Sequence, residues 1–448
     1  MPAHPEEGFR KVPKKFNPTP FDYHKEIEVE ITTLTNLGDG LGRVDGWVVM
    51  VPFALPDERV LARVWHNAAN FSRADFVRVL RPSPNRAEPH CPLFGTCGGC
   101  QYQNLAYPAQ LAWKTRLVAE LFQRLAGIAD APVNPCTGSP REYHYRSKIT
   151  PHFQTPPPDG SPFPIGFLAA NQRGRVVDVP QCPIATESIN ASLPSIRAGV
   201  FANRTRYKRG ATLLLRDTAE GVVTDPRSAA VELVQISAPF LPSPPPTSPI
   251  SPTPATSPAS PVPVPAAAPS LRLRFPAGDF FQNNPFILPL FADYAVKQAL
   301  GDGCRFLIDT YCGSGLFALA GARHFEHVLG IEVNADAVRN AAENAAANSI
   351  SNCRFLAGSA ERIFAKIATP PDETAVLMDP PRRGSDAVFL EQLAAFRPRR
   401  IVYVSCAPDT QMRDLKTLLA VGYTVADVQP FDLFPQTRHI ENIVTLRR

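Results

Sequence analysis

The sequence predicts an α/β chain in three parts: a small β-barrel near the N-terminus, a central α+β domain, and an open α/β sheet at the C-terminus. Three observations predict it. Short strands punctuated by glycines fill residues 25–83. Three cysteines crowd into residues 91–100. From residue 273 onward, apolar runs that end at acids or a thiol alternate with helical stretches. With 448 residues, 44% hydrophobic and 19% charged, the chain is long enough for two or three packed cores. A net charge of +5 permits a nucleic-acid partner without requiring one. No apolar run approaches the roughly 18 residues of a membrane span, and the polar N-terminus, with Pro5, Pro13 and Pro18, has no signal-peptide core. The expectation is an intracellular protein, in which nine cysteines serve metal binding or catalysis better than disulfides.

Residues 1–24 mix proline with Lys11, Lys14 and Lys15 and read as a disordered basic tail. At Ile27, Val29 and Ile31 the chain begins to alternate with Glu28 and Glu30, the period of a half-buried strand. Turn glycines at 38, 40, 42 and 46 follow, then apolar runs at Trp47 to Phe53, Arg59 to Trp65 and Asp75 to Leu80, which together make a barrel over 25–83.

Residues 84–272 are read as the central domain. Cys91, Cys97, Gly98, Gly99 and Cys100 can fold tightly around one metal centre, and Cys182 in Gln181-Cys182-Pro183-Ile184 is a better fourth ligand than Cys136. Zinc and iron–sulfur both use tetrahedral thiolate sets, and spacing alone does not separate them. Leu111, Thr115, Val118, Phe122 and Leu125 recur at helical spacing, with Lys114, Arg116, Glu120 and Arg124 mostly on other faces. Tyr143-His144-Tyr145-Arg146-Ser147-Lys148 interleaves rings and cations, as an RNA face or a half-exposed strand would, and Lys208 and Arg209 extend it. Residues 242–269 hold 12 prolines in 28 positions and no charge, which reads as an extended inserted linker.

In 273–448, Phe306 to Asp309 is a strand leading into Thr310-Tyr311-Cys312-Gly313-Ser314-Gly315 and a helix. The glycines let a ligand approach the backbone. A second strand from His327 ends at Glu332, 19 residues after Gly313, where an acid can hold ribose hydroxyls. The turn lacks the third glycine of a dinucleotide fingerprint and a base for pyrophosphate, so S-adenosylmethionine fits it better. A third strand, Thr374 to Met378, runs into Asp379-Pro380-Pro381-Arg382-Arg383-Gly384, a rigid loop. The buried strand Ile401 to Val404 delivers Cys406 to the sheet's carboxyl edge, with Pro408 blocking its continuation. Glu441 closes Phe434-Pro435-Gln436-Thr437-Arg438-His439-Ile440-Glu441 beside a last apolar strand.

The order of Phe280-Phe281-Gln282, the 309–315 turn, the 379–384 loop, Ser405-Cys406-Ala407-Pro408-Asp409-Thr410 and the 434–441 segment resembles the RNA uracil-5 methyltransferase family. Residues 38–52 resemble a TRAM domain, and the cysteine pattern resembles the iron–sulfur motif of that family. The resemblance covers nearly the whole chain. It implies a Rossmann-like class I methyltransferase domain at the C-terminus and an OB-like, RNA-contacting TRAM barrel at the N-terminus. It also implies a 4Fe–4S cluster on Cys91, Cys97, Cys100 and Cys182, with S-adenosylmethionine contacted by Gln282, Tyr311, Glu332 and Asp379. Cys406 would be the nucleophile and Glu441 the general base. That division suits the chemistry: C5 of uracil is a poor nucleophile until a thiolate adds at C6, and the C5 proton must leave before the thiol can be eliminated.

The implied activity is methylation of a uridine in RNA, 23S ribosomal RNA first, with a tRNA enzyme or an inactive RNA-binding relative as alternatives. A cytoplasmic monomer is expected. Two positions depart from the family pattern: Leu316 and Ala407 stand where it usually has asparagines.

Overall fold

The computed structural model describes residues 15–170, 172–236, 270–301, 303–358, 364 and 367–448. The first fourteen residues of the expected tail and the whole proline-rich stretch 242–269 lie outside the described residues. Residues 15–24, also assigned to that tail, are docked on the barrel: Phe21 joins its core, and the Asn67 side chain donates to the carbonyls of Asn17 and Phe21, both at 2.7 Å. An aromatic anchor and a buried amide outweigh the local proline and lysine content.

Five strands, Glu26–Leu34, Gly40–Val44, Trp47–Val51, Arg59–Asn67 and Phe71–Arg81, close into a barrel. Val29, Ile31, Val49, Val51, Val60, Ala62 and Val64 point inward at alternate positions, as the period-two pattern requires. Gly42 faces the Glu30 carbonyl so closely that any Cβ would collide with it, which explains the glycine there.

The central region carries two small antiparallel sheets and the helices Tyr107–Leu121 and Glu187–Ala202. Strands Ala229–Gln235 and Ser270–Pro276 pair residue for residue, from Ala229 with Pro276 to Gln235 with Ser270. The expected boundary after residue 272 therefore falls inside a strand. This hairpin packs into the C-terminal core through Val234, Leu271, Leu273 and Phe275, and Asn344 bonds both the amide and the carbonyl of Arg274.

The C-terminal sheet has seven strands in the order Cys353–Ala357, His327–Glu332, Phe306–Thr310, Thr374–Met378, Arg400–Ser405, Glu441–Arg447, Thr424–Phe431. The first five are parallel, and Glu441–Arg447 runs antiparallel between its two neighbours. The middle strands are buried on both faces, hence their continuous apolar runs. Asn334 caps the helix Ala335–Ala347 by accepting from the Asp336 and Ala337 amides. No helix among the described residues is long and apolar enough to cross a membrane.

Candidate active site

Ligands and reactive groups of an open α/β sheet gather at the carboxyl ends of its strands. Cys406 follows the last residue of Arg400–Ser405, and Pro408 begins the helix Pro408–Ala420 two residues on. Because Glu441–Arg447 is antiparallel, its first residue lies at that same edge. Ser405 pairs with Asn442, so the next step of the register sets Cys406 beside Glu441. Met378 pairs with Tyr403, which brings Asp379 to the same corner from the other side.

Electrostatics confirm the convergence. Burial, then the Glu441 and Asp379 charges, push the Cys406 thiol up to about 11, while a hydrogen bond and the positive charge of Arg382 pull it back. Glu441 is 4% exposed and is raised well above the usual carboxyl range by burial and then by Asp379, against Arg382. Burial raises Asp379 to about 7. Two carboxyls and a thiol around one arginine cannot all be ionised cheaply, and such mutual shifts mark functional sites.

Of the residues expected at the cofactor, Tyr311, Glu332 and Asp379 follow or end strands at the same edge. Tyr311 adopts a left-handed φ of 64°, rare for a ring-bearing residue. Its ring meets Phe389 edge-on and its hydroxyl donates to Ser385 Oγ at 3.4 Å. Glu332 accepts from the Gly313 amide at 3.2 Å, joining the first turn to the second strand. A Cβ on Gly313 would meet nothing within 4 Å, so open space borders this turn. Among the described residues, Asp309 Oδ1 is buried without a hydrogen-bond partner. Gln282 is buried after Phe281, which stacks on Phe275 at 4.4 Å. Open space beside glycine and an acid at the end of the second strand fit a nucleoside such as S-adenosylmethionine. Leu316 is packed into the core behind the turn. Ala407 occupies the N-cap position of its helix without a capping side chain.

The segment before Glu441 is held by the rest of the molecule. Lys114, expected mostly off the packed face of its helix, is fully buried with Nζ 2.6 Å from Asp432 Oδ1. One turn earlier, Gln110 Nε2 donates to Gln436 Oε1 at 2.9 Å, and the Gln436 amide donates back to Gln110 Oε1 at 3.1 Å. The amides of Gln101 and Tyr102 both donate to the Gln436 carbonyl, and the Tyr145 hydroxyl donates to that of Pro435. From the barrel, the Leu37 carbonyl accepts from Arg438 Nη1. Gln110, Lys114, Leu117 and Val118 share one face of the helix, so the polar pair inside an apolar stripe was the available signal for this clasp.

Residues 143–148 serve the same packing rather than an open RNA face. Tyr145 and Ser147 are buried, Tyr143 stacks on His90, and Lys148 donates to the carbonyls of Gly278 and Asp279. Lys208 and Arg209 remain exposed. Arg382 and His439 were outside the expected site. Arg382 is the cation that favours the Cys406 thiolate, and its Nη2 lies 3.4 Å from His439 Nδ1. Burial, followed by repulsion from Arg382 and Arg438, lowers His439 to about 4 and keeps it neutral.

Cys91, Cys97, Cys100 and Cys182 line one cavity of about 290 Å³, bounded on one side by Thr437 and His439. Burial raises Cys100 to about 12 and Cys182 to about 11, and in both cases neighbouring cysteine thiols raise it further. Among the described residues, no group of three or more His, Cys, Asp or Glu side chains is arranged to hold a metal ion.

Five parallel strands, an antiparallel strand inserted before the edge, and a ligand edge without a phosphate cradle define a class I methyltransferase, joined here to a TRAM barrel. The family described as tRNA (Uracil-5-)-methyltransferase matches residues 264–448, and the TRAM domain matches 24–77. The chain is 40% identical to a tRNA (uracil(54)-C(5))-methyltransferase of Schizosaccharomyces pombe, covering 96% of this chain and 79% of the relative. It is 32% identical to the Saccharomyces cerevisiae protein of that name, over 96% of this chain and 75% of the relative. An uncharacterized RNA methyltransferase of Halalkalibacterium halodurans is 29% identical over 95% of this chain and 98% of its own length. The crystal structure of Pyrococcus abyssi tRNA (uracil-54, C5)-methyltransferase with S-adenosyl-L-homocysteine shares the fold, with a TM-score of 0.65 at 22% identity over 94% of this chain and all of that one. The chain belongs to the RNA uracil-5 methyltransferases, enzymes that depend on S-adenosylmethionine.

Proposed function

We propose that this enzyme methylates C5 of a uridine in tRNA, with Cys406 as nucleophile and Glu441 as general base. The observation that carries the site assignment is the strand register that sets Cys406 and Glu441 side by side at the carboxyl edge. Support for tRNA over the ribosomal RNA expected from sequence comes from the two yeast relatives, both named tRNA (uracil(54)-C(5))-methyltransferases and similar over 96% of this chain.

The Cys406 thiolate, favoured by Arg382, adds to C6 of a flipped-out uracil, and the C5–C6 electron pair moves toward C5 as an enolate. When bound, S-adenosylmethionine supplies an electrophilic methyl group for C5. Glu441 then removes the C5 proton, the C5–C6 double bond re-forms, and Cys406 leaves C6 as thiolate. A buried carboxyl raised by its surroundings is a strong enough base for that carbon acid once ionised. Gln282, Tyr311, Glu332 and Asp379 would hold the cofactor, with Glu332 toward the ribose and Asp379 toward the reacting end.

For the cysteines, the shared cavity favours a 4Fe–4S cluster on Cys91, Cys97, Cys100 and Cys182. Bound there, such a cluster would be held by the four cysteine thiolates.

The two catalytic roles act at different times and separate cleanly. Cys406→Ala should bind RNA and S-adenosylmethionine yet give neither adduct nor product. Glu441→Gln should stall after methyl transfer, leaving protein covalently attached to methylated RNA. A denaturing gel with methyl-labelled cofactor should show a retarded, labelled protein band for Glu441→Gln only. Methylation by Cys406→Ala, or normal turnover by Glu441→Gln, would overturn the assignment, and tRNA and ribosomal RNA transcripts in the same assay separate the substrates.

A further inference from the structure

Arg382 is the cation beside Cys406, yet it sits in an exposed loop after two prolines. A guanidinium on a long, solvent-facing stem samples many rotamers, and its effect on a thiol depends on how long it stays in place. Among the described residues its side chain hydrogen-bonds to His439, whose Nδ1 lies 3.4 Å from Nη2. The imidazole is itself fixed. Its ring stands edge-on to Phe434 at 5.8 Å, and its backbone amide donates to Thr437 Oγ1, which in turn donates to the Phe434 carbonyl. His439 also forms part of the wall of the cysteine cavity, so it is held in the clasped segment rather than on a free loop.

We infer that His439 is a positioning residue: by accepting at Nδ1 it holds Arg382 against Cys406 and so raises the fraction of reactive thiolate. The inference rests on Cys406 being the nucleophile. The charged and titratable groups facing that thiol are Glu441, Asp379 and Arg382, two that oppose the thiolate and one that favours it. Loosening Arg382 therefore tips the local balance toward the neutral thiol. No other route from His439 to the reaction is needed, since the ring acts through Arg382 alone.

The test is the pH profile of Cys406 alkylation by iodoacetamide in the full-length enzyme, read by mass spectrometry of the peptide that carries it. His439→Phe keeps the ring shape and the contact with Phe434 but has no acceptor. It should move the midpoint up by about half a pH unit, the scale expected of one exposed charge held less firmly. It should also lower kcat roughly three-fold, the loss of thiolate that half a unit implies, with KM for RNA unchanged. His439→Asn places an amide oxygen where Nδ1 was and should restore both. In the Arg382→Met background, His439→Phe should shift the midpoint no further.

A profile unchanged in His439→Phe, an Asn variant displaced as far as the Phe variant, or an additive shift with Arg382→Met would each overturn the inference. His439→Leu replaces the Phe variant if that protein fails to bind S-adenosylmethionine. Methylation surviving in Cys406→Ala sinks the nucleophile reading itself, an outcome distinct from an unshifted His439→Phe in an enzyme whose Cys406→Ala form is dead.

Discussion

Lys114→Met tests how firmly the central helix holds the segment that leads to Glu441. Lys114 and Asp432 are both fully buried, 2.6 Å apart, and Asp432 Oδ1 also accepts from the Phe434 amide at 3.1 Å. Methionine fills most of the lysine volume, so the loss is electrical rather than a cavity. Removing one partner of a buried pair strands the other charge and costs about 3–5 kcal/mol. The remaining Phe434 amide bond argues for the lower end, about 3 kcal/mol.

A second signature follows from linkage. Burial already raises Asp432 while Lys114 lowers it, so without the lysine its folded value climbs further. A carboxyl raised in the folded state keeps a proton that the unfolded chain has released, so stability falls as pH rises from the unfolded value toward the folded one. The Lys114→Met defect should thus widen as pH rises from the ordinary carboxyl value of about 4 toward neutrality, at no more than about 1.4 kcal/mol per unit. Urea unfolding of variant and wild type across that range measures it. Lys114→Met/Asp432→Leu should recover much of the loss, because replacing both members of such a pair can be neutral. A single variant within about 1 kcal/mol of wild type at every pH would refute the reasoning, since one surface-like pair is worth no more.

Three further expectations have direct checks. Deleting residues 242–269 and rejoining with a short Gly/Ser linker should change stability by under about 1 kcal/mol, because Gln235 and Ser270 are already paired neighbours. Loss of folding on that deletion would show that the segment docks on a domain. Anaerobically purified protein should be brown, and Cys97→Ser should lose that visible absorbance. A colourless protein with one zinc per chain would exclude the cluster. S-adenosylmethionine affinity should rise as Asp379, held near 7 by burial, ionises, and Asp379→Asn should bind about ten-fold more weakly with a flat profile between about pH 6 and 8. Calorimetry showing a pH-dependent Asn variant would remove Asp379 from the cofactor site.

The fold and the reactive edge were legible because both are written in local patterns. Alternation marked the barrel strands, and an apolar run ended by a proline marked the strand carrying Cys406. What stayed hidden depends on long-range pairing. Lys114 looks like an ordinary helix-surface lysine until Asp432, 318 positions away, meets it. The aromatic and basic run 143–148 looks like a stacking surface. It is consumed by the Pro435 carbonyl, by His90 and by the 278–279 turn. Phe21 and Asn17 read as tail because a single anchoring ring carries no periodicity.

The antiparallel strand explains why the clasp matters to chemistry. Parallel strands reach the reacting edge at their ends, with a helix behind to stiffen the exit, as Pro408–Ala420 does for Cys406. Glu441 instead begins its strand, so what precedes it is a loop, and a loop places a side chain only as well as its own anchors do. Those anchors come from outside the catalytic domain: Gln110, Lys114 and Tyr145 from the central region, Gln101 and Tyr102 from the cysteine loop, and the Leu37 carbonyl from the barrel. Gln436 takes a left-handed φ of 67° at the centre of them, a conformation that persists in a non-glycine residue only where the surroundings over-determine it. The barrel and the cysteine-bearing region therefore do more than flank the C-terminal sheet, because the position of Glu441 depends on both of them being in place.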